Sequence, residues 1–189
     1  MQYPNHTMKK QTSLLFTFLV LGALSSSFTL RVEAATGGNV AAWGANTTGQ
    51  TTVPAGLTNA TAIAAGGDHT VALKSDGTVV AFGSNDSGQT NIPAGLSGVT
   101  AIAGGNAHTV ALKSDGTVVA WEYNFAGIST VPASATNVTA VAAGLNHSLA
   151  LKSGGVVVAW GDNGSGQRFV PAGLTNVTAI EGVIFTAWP

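Results

Sequence analysis

The chain repeats itself every 39 residues, and that period limits the folds open to it more than any other property. Trp43, Phe82, Trp121 and Trp160 recur at this spacing, as do Pro54, Pro93, Pro132 and Pro171, and His69, His108 and His147. Residues 44–82 and 83–121 agree at 27 of 39 positions, with no insertion between them. Segments this alike adopt one conformation, so the fold is a row of about four equivalent units, each leaning on its neighbours.

Within a unit the apolar residues alternate over short runs, the pattern of a strand with one face covered. Thr78 to Phe82 reads as a strand that stops at Gly83. Asn85-Asp86-Ser87-Gly88-Gln89 is loop chemistry, and Ile92-Pro93 opens an extended stretch suited to a sheet edge. Val99 to Ala103 and His108 to Leu112 are the next strands, and Ser114-Asp115-Gly116 turns the chain back into Thr117 to Trp121. Four short strands in about 40 residues is the spacing of a propeller blade, so the expected fold is an all-β propeller.

Composition removes several chemistries. The 189 residues include no cysteine, which rules out disulfides, thiolate metal sites and a cysteine nucleophile. Seven Lys and Arg stand against eight Asp and Glu, so there is no basic face for a phosphate backbone and no nucleic-acid partner is expected. The start of the chain reads as an address. Lys9-Lys10 precede the apolar run Leu14 to Leu24, then SSSFTLR and Val32-Glu33-Ala34, the layout of a secretory signal peptide. Residues 1–34 are assigned to that signal, with cleavage after Ala34, and residues 35–189 to the repeat domain, its last unit partial from about 161. The apolar run is too short to span a bilayer, so a secreted or periplasmic protein with no membrane attachment after cleavage is expected. A short dilysine-led signal suits a bacterial exporter.

The polar residues of the repeat read as structural. His69, His108 and His147 each follow a Gly-rich corner and precede an apolar strand, one per unit, which favours packing or hydrogen bonding at the corner over a shared metal. Asp76 and Asp115 lie in Ser-Asp-Gly turns, where Asp commonly bonds the backbone. No catalytic constellation, cofactor or metal site is expected, and the chain reads as a non-enzyme. The third unit stands apart. Glu122-Tyr123-Asn124-Phe125-Ala126-Gly127-Ile128 puts a carboxylate and three large apolar groups into a loop that is polar elsewhere, making Glu122, Tyr123, Phe125 and Ile128 the first candidates for partner contact.

Trp-Gly-x-Asn-x-x-Gly-Gln at 43–50, Val-Pro-Ala-Gly-Leu at 53–57 and Gly-x-x-His-Thr-Val-Ala-Leu-Lys at 66–74 together resemble the regulator-of-chromosome-condensation repeat, most closely its bacterial secreted branch. The resemblance covers residues 38–180 and implies a propeller with Trp43, Phe82, Trp121, Trp160 and the three histidines as its repeated structural positions. Such proteins typically close a ring of seven blades. Four units therefore imply an incomplete ring or a fragment, with open edges that invite self-association. The implied function is noncatalytic protein binding through loops. A resemblance to the secreted propeller-type β-lactamase inhibitor protein implies contacts just before each corner histidine, at Asp68, Ala107 and Asn146, though the aromatic anchors such contacts need are absent there. The nuclear members of the family imply nucleotide exchange on a small GTPase, which an export signal opposes.

Overall fold

The computed structural model describes residues 31–34, 38–122 and 124–182. Residues 1–30, which carry most of the expected signal peptide, and Tyr123 lie outside the described residues. No helix among the described residues is long and apolar enough to cross a membrane.

The repeat folds as three near-identical antiparallel sheets. The first comprises β3 (Ala60–Ala65), β4 (His69–Lys74) and β5 (Val79–Gly83), the second β6 (Val99–Gly104), β7 (His108–Lys113) and β8 (Val118–Glu122), and the third β9 (Val138–Ala143), β10 (His147–Lys152) and β11 (Val156–Gly161). A two-stranded sheet precedes them, with β1 (Arg31–Ala34) paired antiparallel to β2 (Val40–Trp43). The described blades thus fit part of a propeller.

Each sheet is a meander because its links are short and specific. In the β4–β5 turn, Asp76 Oδ1 accepts the backbone N–H of Thr78 at 3.0 Å and its hydroxyl at 2.5 Å, while Lys74 Nζ stands 3.2 Å from Oδ2. Asp115, Thr117 and Lys113 repeat the arrangement in the β7–β8 turn. The hydrogen bond from the Thr78 hydroxyl is the main reason that the Asp76 carboxyl is held down at about 2. The first strand of each blade carries a bulge at its outset, and the displaced threonine there donates across the ladder: Thr61 to the Leu73 carbonyl, Thr100 to that of Leu112 and Thr139 to that of Leu151.

Three strands per blade are observed where four were expected. The fourth candidate, Ile92-Pro93, remains coil: Leu96 N–H donates to the Pro93 carbonyl at 3.1 Å, and Ile92 and Leu96 drop into the apolar seam between the first two sheets. Proline lacks the donor that a ladder needs, and a tight turn with two apolar anchors satisfies the segment without one.

The first strands β3, β6 and β9 lie against one another in order, and each middle strand leans on the next first strand. The core is therefore a series of seams. One joins Val71, Leu73 and Val79 to Ala111 and Trp121, and the next joins Val110, Leu112 and Val118 to Ala150 and Trp160. Phe82, Trp121 and Trp160 are 8%, 7% and 3% exposed, whereas Trp43, at the same repeat position, is 40% exposed.

Candidate functional site

Every blade brings two loops to one end of its sheet. His69 pairs with Gly83, and His108 with Glu122, so the Gly-x-x-His corner and the loop after the last strand sit side by side in each unit.

The corner is built around the imidazole. His69 and His108 are 0% and 1% exposed, and the first glycine of each motif lies flat on the ring: a Cβ at Gly105 would overlap Cε1 and Nδ1 of His108. Only glycine leaves that space. The ring's other edge reaches the next blade, His69 Nε2 standing 3.0 Å from Thr109 Oγ1 and His108 Nε2 3.0 Å from Ser148 Oγ. Thr109 spends its own proton on the Gln89 carbonyl, at 3.5 Å, so its oxygen accepts and His69 donates from Nε2. His69 and His108 are thus latches between blades, a role that goes beyond the packing or hydrogen bonding at their own corner expected from sequence. Burial keeps both rings neutral, pulling His69 down to about 4 and His108 to about 3. Among the described residues no three His, Asp or Glu side chains group as metal ligands.

The neighbouring loop explains the Trp-Gly-x-Asn-x-x-Gly-Gln phrase. Asn85 Oδ1 accepts the Thr90 N–H at 3.1 Å and Gln89 Oε1 accepts the Ser87 N–H at 2.9 Å; Asn46 and Gln50 make the same pair one unit earlier, and Asn163 and Gln167 make it in the last unit. The third unit keeps half of this frame. Asn124 Oδ1 still accepts from Ser129 at 3.0 Å, but Ile128 replaces the glutamine. Ile128 is 3% exposed, and its carbonyl receives the Trp160 indole N–H at 2.8 Å, so this candidate contact residue is an inner support of the loop.

Glu122 stands where the other units have Gly44, Gly83 and Gly161, whose φ angles are 120°, 111° and 99°. It adopts φ 117°, a region that favours glycine, and Ala126 four residues on lies at φ 53°. The Glu122 carboxylate turns towards the preceding loop, where a methyl group on Gly88 would stand 3.5 Å from Oε2. Oε2 is buried without a hydrogen bond, and burial pushes the carboxyl up to about 8. Phe125, in a 3-10 turn over Phe125–Gly127, is 49% exposed.

Of the remaining candidates, Asn146 lies beside Phe125 and Ile128 in a cleft completed by Ala107 and His108. Its volume is about 10 Å³, room for about one water molecule and far below that of a metabolite pocket. Asp68 is exposed on the first blade, its carboxylate 3.5 Å from Gln50 Nε2, and belongs to a different corner from the Phe125 loop. The structure therefore joins Phe125 and Asn146 at one surface, leaves Asp68 apart and buries Ile128. The latching hydroxyls of Thr109 and Ser148 escaped the sequence reading, although a Ser or Thr after each histidine was the available signal.

The model of the regulator of chromosome condensation (RCC1) repeat matches residues 60–89, 99–121 and 138–167. No curated protein matches. Among solved structures, Prp20p from Saccharomyces cerevisiae, described with its binding to Gsp1p and histones, is 20% identical, with 74% of this chain and 47% of that one covered and a TM-score of 0.60. The receptor kinase CR4 ectodomain from Physcomitrella patens is 22% identical, covering 82% of this chain and 45% of that one at a TM-score of 0.66. Human WBSCR16 is 20% identical over 70% and 44% of the two chains, at 0.59. The chain spans about half the length of these structures. With its 39-residue blades, interblade histidines and three matched segments, the chain carries regulator of chromosome condensation (RCC1) repeats between residues 60 and 167.

Proposed function

We propose that this protein is a noncatalytic, exported scaffold that binds a partner protein through the loop end of its blades, with the loop from Glu122 to Ile128 as the recognition element. One observation carries the reading: of the equivalent blade-end positions, only Glu122 holds a side chain in a glycine conformation, beside a half-exposed aromatic. Backbone strain of this kind costs about 1–3 kcal/mol and collects at functional sites. The strands and latches below that loop repeat nearly unchanged, a rigid base on which loops can vary freely. Prp20p, which shares the fold, is described as binding Gsp1p and histones, and yeast RCC1 (Prp20) has been solved with Kap60 bound, which supports a protein partner of unspecified kind here. Lys9-Lys10 and the apolar run from Leu14 to Leu24 support export.

Photo-cross-linking in the native medium tests this. A cross-linkable residue at position 125 should give discrete adducts, while one at position 76, at the opposite end of the sheet, should not. Equal labelling from both positions, or none from 125, refutes the assignment.

A further inference from the structure

The loop after the last strand recurs in every unit, and its asparagine is held alike each time: the side-chain carbonyls of Asn46, Asn85, Asn124 and Asn163 accept the backbone N–H five residues on, at 3.1, 3.1, 3.0 and 2.9 Å. Only in the last unit does glycine follow that asparagine, and Asn163-Gly164 is the sole Asn-Gly pair of the sequence. The fold does not require this glycine. Gly164 has no left-handed φ, and a Cβ there would meet nothing closer than the Asp162 carboxylate oxygens, at 3.5 and 3.7 Å. Two further changes are confined to this unit. Asp162 stands where the others have Ala45, Ser84 and Tyr123, and its Oδ1 accepts the Gly164 N–H at 3.0 Å while Gln167 Nε2 donates to Oδ2 at 3.2 Å. Phe169 offers no acceptor to the side-chain amide, where Thr52, Asn91 and Thr130 accept from Asn46, Asn85 and Asn124 at 3.0 Å. Gly164 is exposed, as the equivalent Asp86 is with a full sheet following it.

Together these residues carry the parts of an intramolecular acyl transfer. We propose that Asn163 is a self-modification site, at which the loop converts the side-chain amide through a cyclic imide to aspartate and isoaspartate. The Gly164 nitrogen forms a bond to Asn163 Cγ, and with no Cβ on Gly164 the approach is unhindered. Its proton passes to Asp162, a base already hydrogen-bonded to it. The oxygen that gains charge in this step is Asn163 Oδ1, which faces the Arg168 N–H. The Cγ–Nδ2 bond then breaks, the nitrogen takes the proton from Asp162 and ammonia leaves. Water opens the imide at either carbonyl, giving aspartate or isoaspartate. Either product sets a second carboxylate beside Asp162. Isoaspartate also lengthens the main chain by a methylene inside the turn that the Gly166 N–H closes on the Asn163 carbonyl at 3.1 Å. The loop is thus altered irreversibly, with no enzyme or cofactor taking part.

Peptide mapping by mass spectrometry on the purified protein, held at neutral pH in water enriched in heavy oxygen, tests this. Asn163 should convert first, to labelled aspartate and isoaspartate, while Asn46, Asn85 and Asn124 stay intact. Gly164→Ala, for which the fold has space, should slow the conversion about tenfold or more. Asp162→Ser, the residue of the second unit, should also slow it, with the β-sheet circular dichroism of the wild type retained. The folded protein should convert faster than the same chain in urea, since only the fold holds Asp162 and the Arg168 N–H in place. Asn163 intact when the other three have converted overturns the proposal, as does aspartate without isoaspartate, either variant converting at the wild-type rate, or conversion in urea as fast as in the folded protein.

Discussion

Replacing His69 with phenylalanine tests the interblade latch through its pH dependence. The ring is 0% exposed and is held at about 4 by burial, against 6.5 for a free histidine. Between those values the unfolded chain takes up a proton that the folded one refuses, so His69 supports the fold fully above pH 6.5 and withdraws that support as pH falls towards about 4. The difference amounts to about 3 kcal/mol, a large share of the roughly 5–15 kcal/mol that holds a domain together. His69→Phe keeps an aromatic ring at the corner and forfeits the bond to Thr109, which costs about 1 kcal/mol at neutral pH beyond the cost of seating the larger ring. It also removes the acid penalty. Urea titrations followed by tryptophan fluorescence should therefore find the variant less stable than the wild type near about pH 7.5 and more stable near about pH 4.5. Glu122, whose raised carboxyl acts in the opposite direction, contributes equally to both proteins and cancels. Parallel stability curves across this range would refute the buried neutral histidine.

Glu122→Gly should raise the urea midpoint by the equivalent of about 1 kcal/mol, by relaxing the backbone, while reducing cross-linking from position 125; a lower midpoint would remove the strain argument. Stability lost through the Glu122 carboxyl as pH rises towards about 8 should disappear in Glu122→Gln, which pH-dependent melting reads directly. Gly105→Ala should cost about 3 kcal/mol by driving a methyl group into His108, and a variant as stable as the wild type would show that the ring can move aside. Asp115→Ala should lower the melting temperature at neutral pH, and the deficit should vanish as pH falls towards about 2, where the wild-type carboxyl also loses its charge.

Much of the fold is legible in the residues because its determinants are local. The Ser-Asp-Gly turns close through bonds spanning two residues, and Gly-x-x-His places a glycine three positions before the ring that needs its space. The Ile92-Pro93 stretch misleads for the same reason: extended local preference says nothing about whether a neighbouring strand is in reach. Glu122 reads from sequence as a candidate partner contact because its company is a loop, and its backbone angle is invisible without coordinates. Ile128 looked like a contact because it replaces a polar residue, yet the Trp160 indole, 32 residues on, claims its carbonyl and helps to bury it.

The sequence by itself determined the unit: its 39-residue length, its strands, its turns and the positions that must be equivalent, since identical local interactions produce identical local structure. Only the tertiary structure decided what the units do to each other. The bond from His69 to Thr109 joins residues 40 apart, and that separation acquires meaning only once two sheets are stacked. The same stacking buries Trp121 and Trp160 while Trp43 stays 40% exposed, because exposure is set by what packs around a residue in space, which identical side chains cannot encode.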